Sequence, residues 1–404
     1  MRRVNSIKLH KVILSILLCL FFTSACSSIL EGDMRVESEH RSTTGDRLPE
    51  EVEVSNFSEL KEAIVELIYQ HETTGQIIVY RYDSDIQWDI DRAIDEVMET
   101  DPIARYAVVE ISTTLNRIVT FFEIDLKIEY RRSREQVASI VNVSTLRYLR
   151  TELFNIMSEY RNEASFQTAL HITEDDMIAY IKDSYYQNPR NIIIMPVAVV
   201  EIYSTEDSDR IVEVRLHNIE LPSVLQQYGE SLARSVRLNA LAAEGETDAE
   251  ILLSLAKNLI DACDFDEGTA RTISEHGIPN LAATAYSALV RGTAVGEGFA
   301  MAFKALCDEL GFECQVVLGY LNNMVHAWNI IMLNGDYYHV DIAMCAANGI
   351  ESAFIKSDAQ FANLYIWDTD NTVRCNGTLT LDDIYELLAN EGVEDNDLSN
   401  LISY

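Results

Sequence analysis

The pair Asn334-Gly335 lies between two strand-like runs, His326 to Leu333 and Asp336 to Ile342. Both residues tolerate the positive φ of a type I′ turn, and such a pair is the strongest short hairpin signal a sequence carries. It dictates register as well as topology. Partners are equidistant from the turn, so Trp328 is expected to face Asp341, and His326 to face Ala343. Because side chains alternate, Asp341 then stands diagonally beside His326, roughly 7 to 8 Å away at Cβ or less. A carboxylate there can orient an imidazole, the base-and-orienter half of a nucleophilic arrangement. The blander outcome is a strand histidine and a strand-end aspartate that satisfy local polar groups. In this reading His339 falls on the face opposite His326, as a packed strand histidine.

Upstream, Ile251, Leu252, Leu255, Leu259 and Ile260 give an apolar helix face over about Ala249 to Cys263. Tyr286 to Val290 then leads into Gly292-Thr-Ala-Val-Gly-Glu-Gly-Phe-Ala300 and a helix that buries Phe299, Ala302, Phe303 and Leu306. Gly311 ends that helix. A strand over Cys314 to Leu321 precedes the hairpin.

Taken in order, Ala285-Tyr-Ser-Ala-Leu289, the glycine-rich word through Ala300, Leu310-Gly-Phe-Glu-Cys314, Gly319-Tyr320, His326-Ala-Trp-Asn329 and Tyr338-His-Val-Asp341 resemble the core of a bacterial transglutaminase-like domain. The resemblance continues through Phe354-Ile-Lys-Ser-Asp358 and Trp367-Asp368, covering roughly residues 247 to 390. It implies a papain-like fold with a Cys at the start of the central helix, a His on one strand and an Asp on the next. His326 and Asp341 match the family's base and orienter. The nucleophile belongs in the family's word Val-Cys-Glu-Gly, which here reads Val295-Gly296-Glu297-Gly298, so the thiol is absent. The helix N-terminus that would lower a thiol's pKa has nothing to ionise. Cys307 is eleven residues along the same helix, about 16 Å away at 1.5 Å per residue, and Cys314 begins the next strand. Cys345 is the one cysteine left open as a substitute. The Trp that often follows the strand aspartate is also missing, since the chain reads Asp341-Ile-Ala-Met-Cys345.

What such a site could keep is a groove for an extended peptide or an amide side chain, lined by Glu297, Gly298, His326, Trp328 and Tyr338. The leading expectation is therefore a domain that has lost acyl transfer and binds, or is structural. One alternative is an active cysteine-protease-like or acyltransferase enzyme using another nucleophile. A second is an adhesion or scaffold protein acting through its N-terminal region. No cofactor or metal motif is present: the cysteine spacing matches no zinc or redox pattern, and Ser204 to Asp209 and Asp264 to Gly268 lack what a calcium loop requires.

The N-terminal half is expected to be duplicated. Ala107-Val-Val-Glu-Ile111 recurs as Ala198-Val-Val-Glu-Ile202, Arg117-Ile-Val119 as Arg210-Ile-Val212, and Ile128-Glu129 as Ile219-Glu220. Each copy reads as helix, strand, helix, strand, strand. The first takes its helix faces from Leu60, Ala63, Ile64, Leu67 and Ile68, then Ile90, Ile94 and Val97, with a strand over Ile77 to Tyr82. The second uses Leu149, Leu153, Ile156 and Met157, a strand over Thr168 to Ile172, then Met177, Ile178 and Ile181. Breaks at Ser112 to Asn116 and Ser204 to Asp209 would turn the final strand pairs, and Ile192 to Val200 reads as a buried strand. Nothing in this half points to chemistry.

The start of the chain is a targeting segment. Arg2, Arg3, Lys8 and Lys11 precede the apolar run Val12 to Phe22, and Thr23-Ser24-Ala25-Cys26 closes it. That run is too short to span a bilayer. Its end resembles a bacterial lipobox, although Thr23 stands where Leu is more frequent, which implies a lipid on Cys26 and a protein held to the outer face of a bacterial membrane. An ordinary signal peptide cut near Ala25 is the alternative. Of seven cysteines, Cys19 and Cys26 belong to this leader, so Cys263, Cys307, Cys314, Cys345 and Cys375 leave at least one thiol unpaired within the chain. With 31 basic against 65 acidic residues and a formal charge of -34, the surface repels phosphate backbones, and no nucleic-acid partner is expected.

The organisation expected is α+β: a signal peptide over 1–25, a lipidated polar tether over 26–52, α/β repeats over 53–140 and 141–225, then a helical connector and the C-terminal transglutaminase-like, papain-like domain over 226–404.

Overall fold

A computed structural model of the chain describes residues 52–205 and 209–389. The leader, Cys26 and the tether up to residue 51 lie outside the described residues. Those described belong to one compact unit.

The chain first builds β1 (Val52–Val54), α1 (Phe57–Tyr69), β2 (Thr74–Val79), α2 (Ile86–Thr100), α3 (Pro102–Ala107), β3 (Val108–Ile118) and β4 (Phe121–Tyr130). The sheet order is β1-β2-β4-β3, with β1 parallel to β2 and the other pairs antiparallel. Asn56 starts α1 by accepting the Glu59 N–H, and the buried face is the expected set Leu60, Ala63, Ile64, Leu67 and Ile68. Asp101 caps α3, and Pro102 fills its first turn, where no N–H is needed.

After a short α4 (Arg134–Ala138) come β5 (Val141–Asn142), α5 (Leu146–Ser158), β6 (Glu163–Thr168), α6 (Glu174–Gln187), β7 (Val197–Ser204) and β8 (Arg210–His217). Their sheet order, β5-β6-β8-β7, has the same parallel and antiparallel pattern. Five pairs of elements also start at a constant interval. Val52 and Val141, Phe57 and Leu146, Thr74 and Glu163, Val108 and Val197, and Phe121 and Arg210 are all 89 residues apart.

Several sequence expectations shift here. One of the word pairs matched above is not equivalent in structure, because Arg117-Ile118-Val119 closes β3 whereas Arg210-Ile211-Val212 opens β8, and Ala107 to Ile111 and Ala198 to Ile202 fall at the start of corresponding strands two residues out of step. Ser112 to Asn116 makes no break: β3 runs through it, and Ser112 and Asn116 pair with Lys127 and Glu123. The second unit's first full strand ends at Thr168 rather than beginning there, since Thr173 already caps α6 through a capping box. Ile192 to Met195 are buried but lie outside any strand; β7 begins only after Pro196, which has no N–H to give a ladder.

The last third contains α7 (Pro222–Leu241), α8 (Asp248–Ala262), β9 (Asp264–Phe265), α9 (Glu267–Ala270), β10 (Thr293–Ala294), α10 (Gly296–Leu310), β11 (Cys314–Leu321), β12 (Met324–Leu333), β13 (Asp336–Val340), α11 (Ile342–Asn348), α12 (Asp358–Phe361), β14 (Tyr365–Trp367) and a helix over 381–389. The expected boundary at residue 225 falls inside α7. An antiparallel sheet of order β13-β12-β11-β14 packs against α10, which is buried through its first three turns. Asn334 and Gly335 both take positive φ, at 55° and 88°, and the hairpin pairs Leu333 with Asp336 and Asn329 with Val340, the register expected.

The core is continuous across two of the three parts. Leu153, Phe166, Met177 and Tyr185 of the second α/β unit join Phe299, Phe303, Trp328 and Ile330 in one cluster, whereas the first unit has a core of its own. That first unit is tied to the second by Arg132, 2.8 Å from the buried Glu213, and by Tyr106, whose hydroxyl bonds Ser165 at 2.9 Å. A buried carboxylate needs such a partner to stay charged.

Candidate functional site

Helix α10 begins at Gly296, after Val295 in extended conformation, with no side chain capping its first N–H groups. Gly298 is a glycine by necessity, since a Cβ there would sit 2.5 Å from the Ala282 carbonyl oxygen and 2.8 Å from Ala294 Cβ. Strand β12 carries His326 over this helix tip. The hairpin brings Asp341 beside it, but β13 stops at Val340 and Asp341 becomes the N-cap of α11, accepting the Met344 N–H at 3.0 Å.

His326 Nε2 lies 2.6 Å from Asp341 Oδ2, and the Tyr365 hydroxyl donates to the same oxygen at 2.7 Å. A carboxylate only accepts, so Nε2 carries the proton and Nδ1 is the ring nitrogen turned towards the helix tip. Burial pushes the Asp341 carboxyl up, but the His326 charge and the three hydrogen bonds outweigh it and hold it below the ordinary range. For His326, burial lowers the imidazole, and Asp341's charge and hydrogen bond more than reverse that, leaving it raised. The structure therefore brings His326 and Asp341 within hydrogen-bond distance of each other.

No thiol meets it. An ideal Cβ on Gly296 would stand 2.7 Å from His326 Cε1 and 2.8 Å from Nδ1, so the ring fills the space a side chain at this position would use. Cys345, the substitute left open by the sequence, is 2% exposed, points its Sγ at the Ile350 carbonyl and is pushed up to about 12 by burial and then by Asp341. Burial likewise raises Cys263 and Cys375 to about 12, and Cys307 upward. All five described cysteines are free and buried.

A cleft of about 510 Å³ opens beside Gly296 and His326. Phe265, Ile273, Leu321, Met324 and Met344 make its apolar walls, with Glu297, His276 and Arg271 at its polar margin. Two of the expected groove residues are elsewhere. Trp328 is fully buried, donating from Nε1 to His339 Nδ1 at 3.0 Å, and Tyr338 is 2% exposed, with its hydroxyl accepting the Leu379 N–H. Both are core, because this sheet is covered on both faces. Gly298 is buried beneath the helix tip. Glu297 does line the cleft, though its carboxylate is already engaged by the Tyr186 hydroxyl at 3.0 Å.

His339 corrects a further expectation. It pairs across the hairpin with Ile330 and therefore shares a face with Trp328 and His326. One ligand atom from each of His339, Asp358 and Cys375 lies within 4.8 Å of the other two, a set that invites a metal. The proton positions argue against one. Nδ1 accepts from Trp328, which leaves Nε2 to donate to Asp358 at 2.9 Å, so neither nitrogen has a lone pair left over for a cation. With Trp328, the three residues tie β12, β13, α12 and the segment after β14 together.

Sequence reasoning missed Tyr186, His276 and Tyr365. Tyr365 follows from nothing but the fold, and Tyr186 is 111 residues from the Glu297 it bonds.

Residues 237–342 match the family described as the transglutaminase-like superfamily. No curated protein matches the chain. A solved structure described as a TGase is similar at 11% identity and a TM-score of 0.25, covering 72% of this chain and 58% of the other. A candidate cysteine protease from Cytophaga hutchinsonii is similar at 14% identity and a TM-score of 0.23, covering 37% and 63%. A candidate protease from Parabacteroides distasonis is similar at 8% identity and a TM-score of 0.20, covering 67% and 43%. The chain thus spans less than two thirds of the length of each.

Proposed function

We propose that this chain, which carries a transglutaminase-like domain, is an exported, lipid-anchored protein whose domain holds a peptide or amide ligand without becoming acylated itself. The observation that carries the reading is the contact between Gly296 and His326. Acyl transfer through a covalent intermediate needs a nucleophile at the helix tip, and the imidazole occupies its place. Among the described residues lining the cleft there is no thiol or hydroxyl to stand in. What supports binding is the remaining cavity, apolar along its walls and polar at one margin, the usual make-up of a ligand site.

Calorimetric titration with short glutamine-containing peptides tests this. Binding that weakens in Met324→Glu, with the peptide recovered intact, supports the reading. Turnover of the peptide by the natural chain overturns it. The anchor is tested separately: Cys26→Ser should abolish labelling by a fatty acid and release the protein from the membrane fraction, and unchanged labelling would rule Cys26 out.

An active enzyme is the second reading, and the intact His326–Asp341 pair at 2.6 Å favours it. Such a pair could serve general acid–base chemistry if a nucleophile were supplied. We also read the two α/β units as copies of one ancestral unit, a reading supported by their shared strand order and the 89-residue spacing of their elements.

A further inference from the structure

The two α/β units repeat one surface, and only in the second is it covered. Gln76 and Ser165 are each the third residue of their strand, β2 and β6, and their partners across the antiparallel ladder are Asp125 and Glu213. The first residues of those strands, Thr74 and Glu163, face Lys127 and Arg215 in the same way. Asp125 thus stands in the first sheet where Glu213 stands in the second, each with a basic residue two places on. Alternation turns both carboxylates away from the cores, since Ile124 and Leu126 belong to the first core and Val212 and Val214 to the second.

In the second unit this outer face is an interface. Helix α3 lies against β7 and β8, where Tyr106 and Ala107 pack on the buried Ile211. The Tyr106 hydroxyl reaches Ser165 at 2.9 Å and Glu213 at 3.3 Å. Arg132, whose guanidinium lies 5.1 Å from the centre of the Tyr106 ring, is 2.8 Å from Glu213, which is left 3% exposed. The first sheet has no such cover. Asp125 is exposed and accepts from two neutral amides, Gln76 Nε2 at 3.1 Å and Asn116 Nδ2 at 2.9 Å, and no cation pairs with it among the described residues. Glu110, Glu123 and Glu129 share its face with one cation, Lys127, which is bonded to Glu129 at 2.7 Å. Acidic residues alone select nothing; what gives this face a partner is the use its counterpart makes of the same position.

We propose that the outer face of the first sheet docks a segment of another protein that presents an arginine beside a tyrosine, the pair that the second unit takes from the first. The arginine belongs at Asp125 and Glu123, because the Lys127 end of the face borders a groove lined by Arg131 and Arg132, whose charge repels it. A second copy of this chain is not that partner: its Tyr106 and Arg132 are already engaged by Glu213, and a formal charge of -34 sets copies apart. Neither common ancestry of the units nor a ligand in the cleft is required.

The probe is a helical peptide with arginine and tyrosine four residues apart, and so on one face. It is titrated into the full chain and followed by fluorescence anisotropy, with hydrogen exchange locating the contact. Saturable binding that adds protection on β3 and β4 and not on α10, and that weakens with salt, is expected. Asp125→Asn, an exposed and nearly isosteric change, should weaken it about tenfold, the loss one charge-assisted bond carries. Glutamine in place of the peptide's arginine should weaken it by a similar factor. Protection that falls elsewhere, binding indifferent to Asp125→Asn, or no binding at about 1 mM peptide would overturn the proposal. So would two other occupants: self-association of the natural chain that protects β3 and β4 assigns the face to a second copy, and faster exchange of residues 27–51 in Asp125→Asn assigns it to the chain's own N-terminal segment.

Discussion

Gly296 and His326 stand so close that the imidazole occupies the position of the side chain glycine lacks: a Cβ would meet Cε1 at 2.7 Å and Nδ1 at 2.8 Å. The ring is not free to swing aside, being bonded to Asp341 at 2.6 Å and stacked near Trp328 at 6.3 Å between centroids. A thiol introduced by one substitution would therefore enter a site already filled by the imidazole.

Gly296→Ala should accordingly destabilise the protein. Overpacking costs about 1 to 3 kcal/mol, and the helical gain of alanine over glycine recovers at most about 1 kcal/mol. We expect a net loss of about 1 kcal/mol in denaturant unfolding, with the His326 imidazole shifted in NMR titration. Gly296→Cys should show the same displacement and no amide hydrolysis. A stabilised alanine variant with an unmoved imidazole would mean the tip has room.

The His326–Asp341 pair should shape stability against pH. Asp341 is depressed below its ordinary 3.8, so its contribution is fully present above that value and fades as pH falls through the folded value. His326 is raised above 6.5, so its contribution is fully present below that value and fades as pH rises through the folded one. The pair contributes most between these limits. Asp341→Asn should cost about 3 to 5 kcal/mol near pH 6, the loss expected on breaking a buried pair, and should flatten both limbs of the profile. Urea midpoints from pH 3 to pH 9 check this.

How much of this site could be read from residues alone depended on distance along the chain. Asn334-Gly335 sets the register that brings Asp341 to His326, because a two-residue turn leaves one pairing. The same register places His339 opposite Ile330, on the His326 face, so assigning it to the other face misapplied a rule the sequence contained. Trp328 and Tyr338 were misplaced for a different reason: alternation separates two faces without saying which is open, and here both are covered. Tyr186 and His276 left no local signal, since their partners, Glu297 for both and Gly319 for His276, lie on a helix and a strand distant along the chain. In the α/β units helix faces were legible from periodicity, whereas repeated short words misaligned the copies, because strand words recur without equivalent positions.

Trp328→Phe isolates the buried chain from Trp328 through His339 to Asp358. It leaves His339 Nδ1 without a donor at 0% exposure, which should cost about 1 to 3 kcal/mol in addition to the lost packing. Thermal unfolding measures the loss. A Tm unchanged from the natural chain would mean the indole N–H bond contributes nothing.

A fragment beginning at residue 226 should fail to fold. Its core would lose Leu153, Phe166, Met177 and Tyr185, which share one cluster with Phe299 and Trp328, and Glu297 would lose Tyr186. Burying a carboxylate without its partner adds to the apolar loss. A non-cooperative melt with weak near-ultraviolet circular dichroism is expected, and a sharp transition would show the C-terminal part to be autonomous.

The central claim is that no side chain at this helix tip takes an acyl group. Intact-mass spectrometry of the natural chain, after incubation with an activated ester or a glutamine peptide and an amine, tests it most directly. The mass should stay unchanged, with no ammonia released. An added acyl mass that maps to any residue lining the cleft would contradict the account.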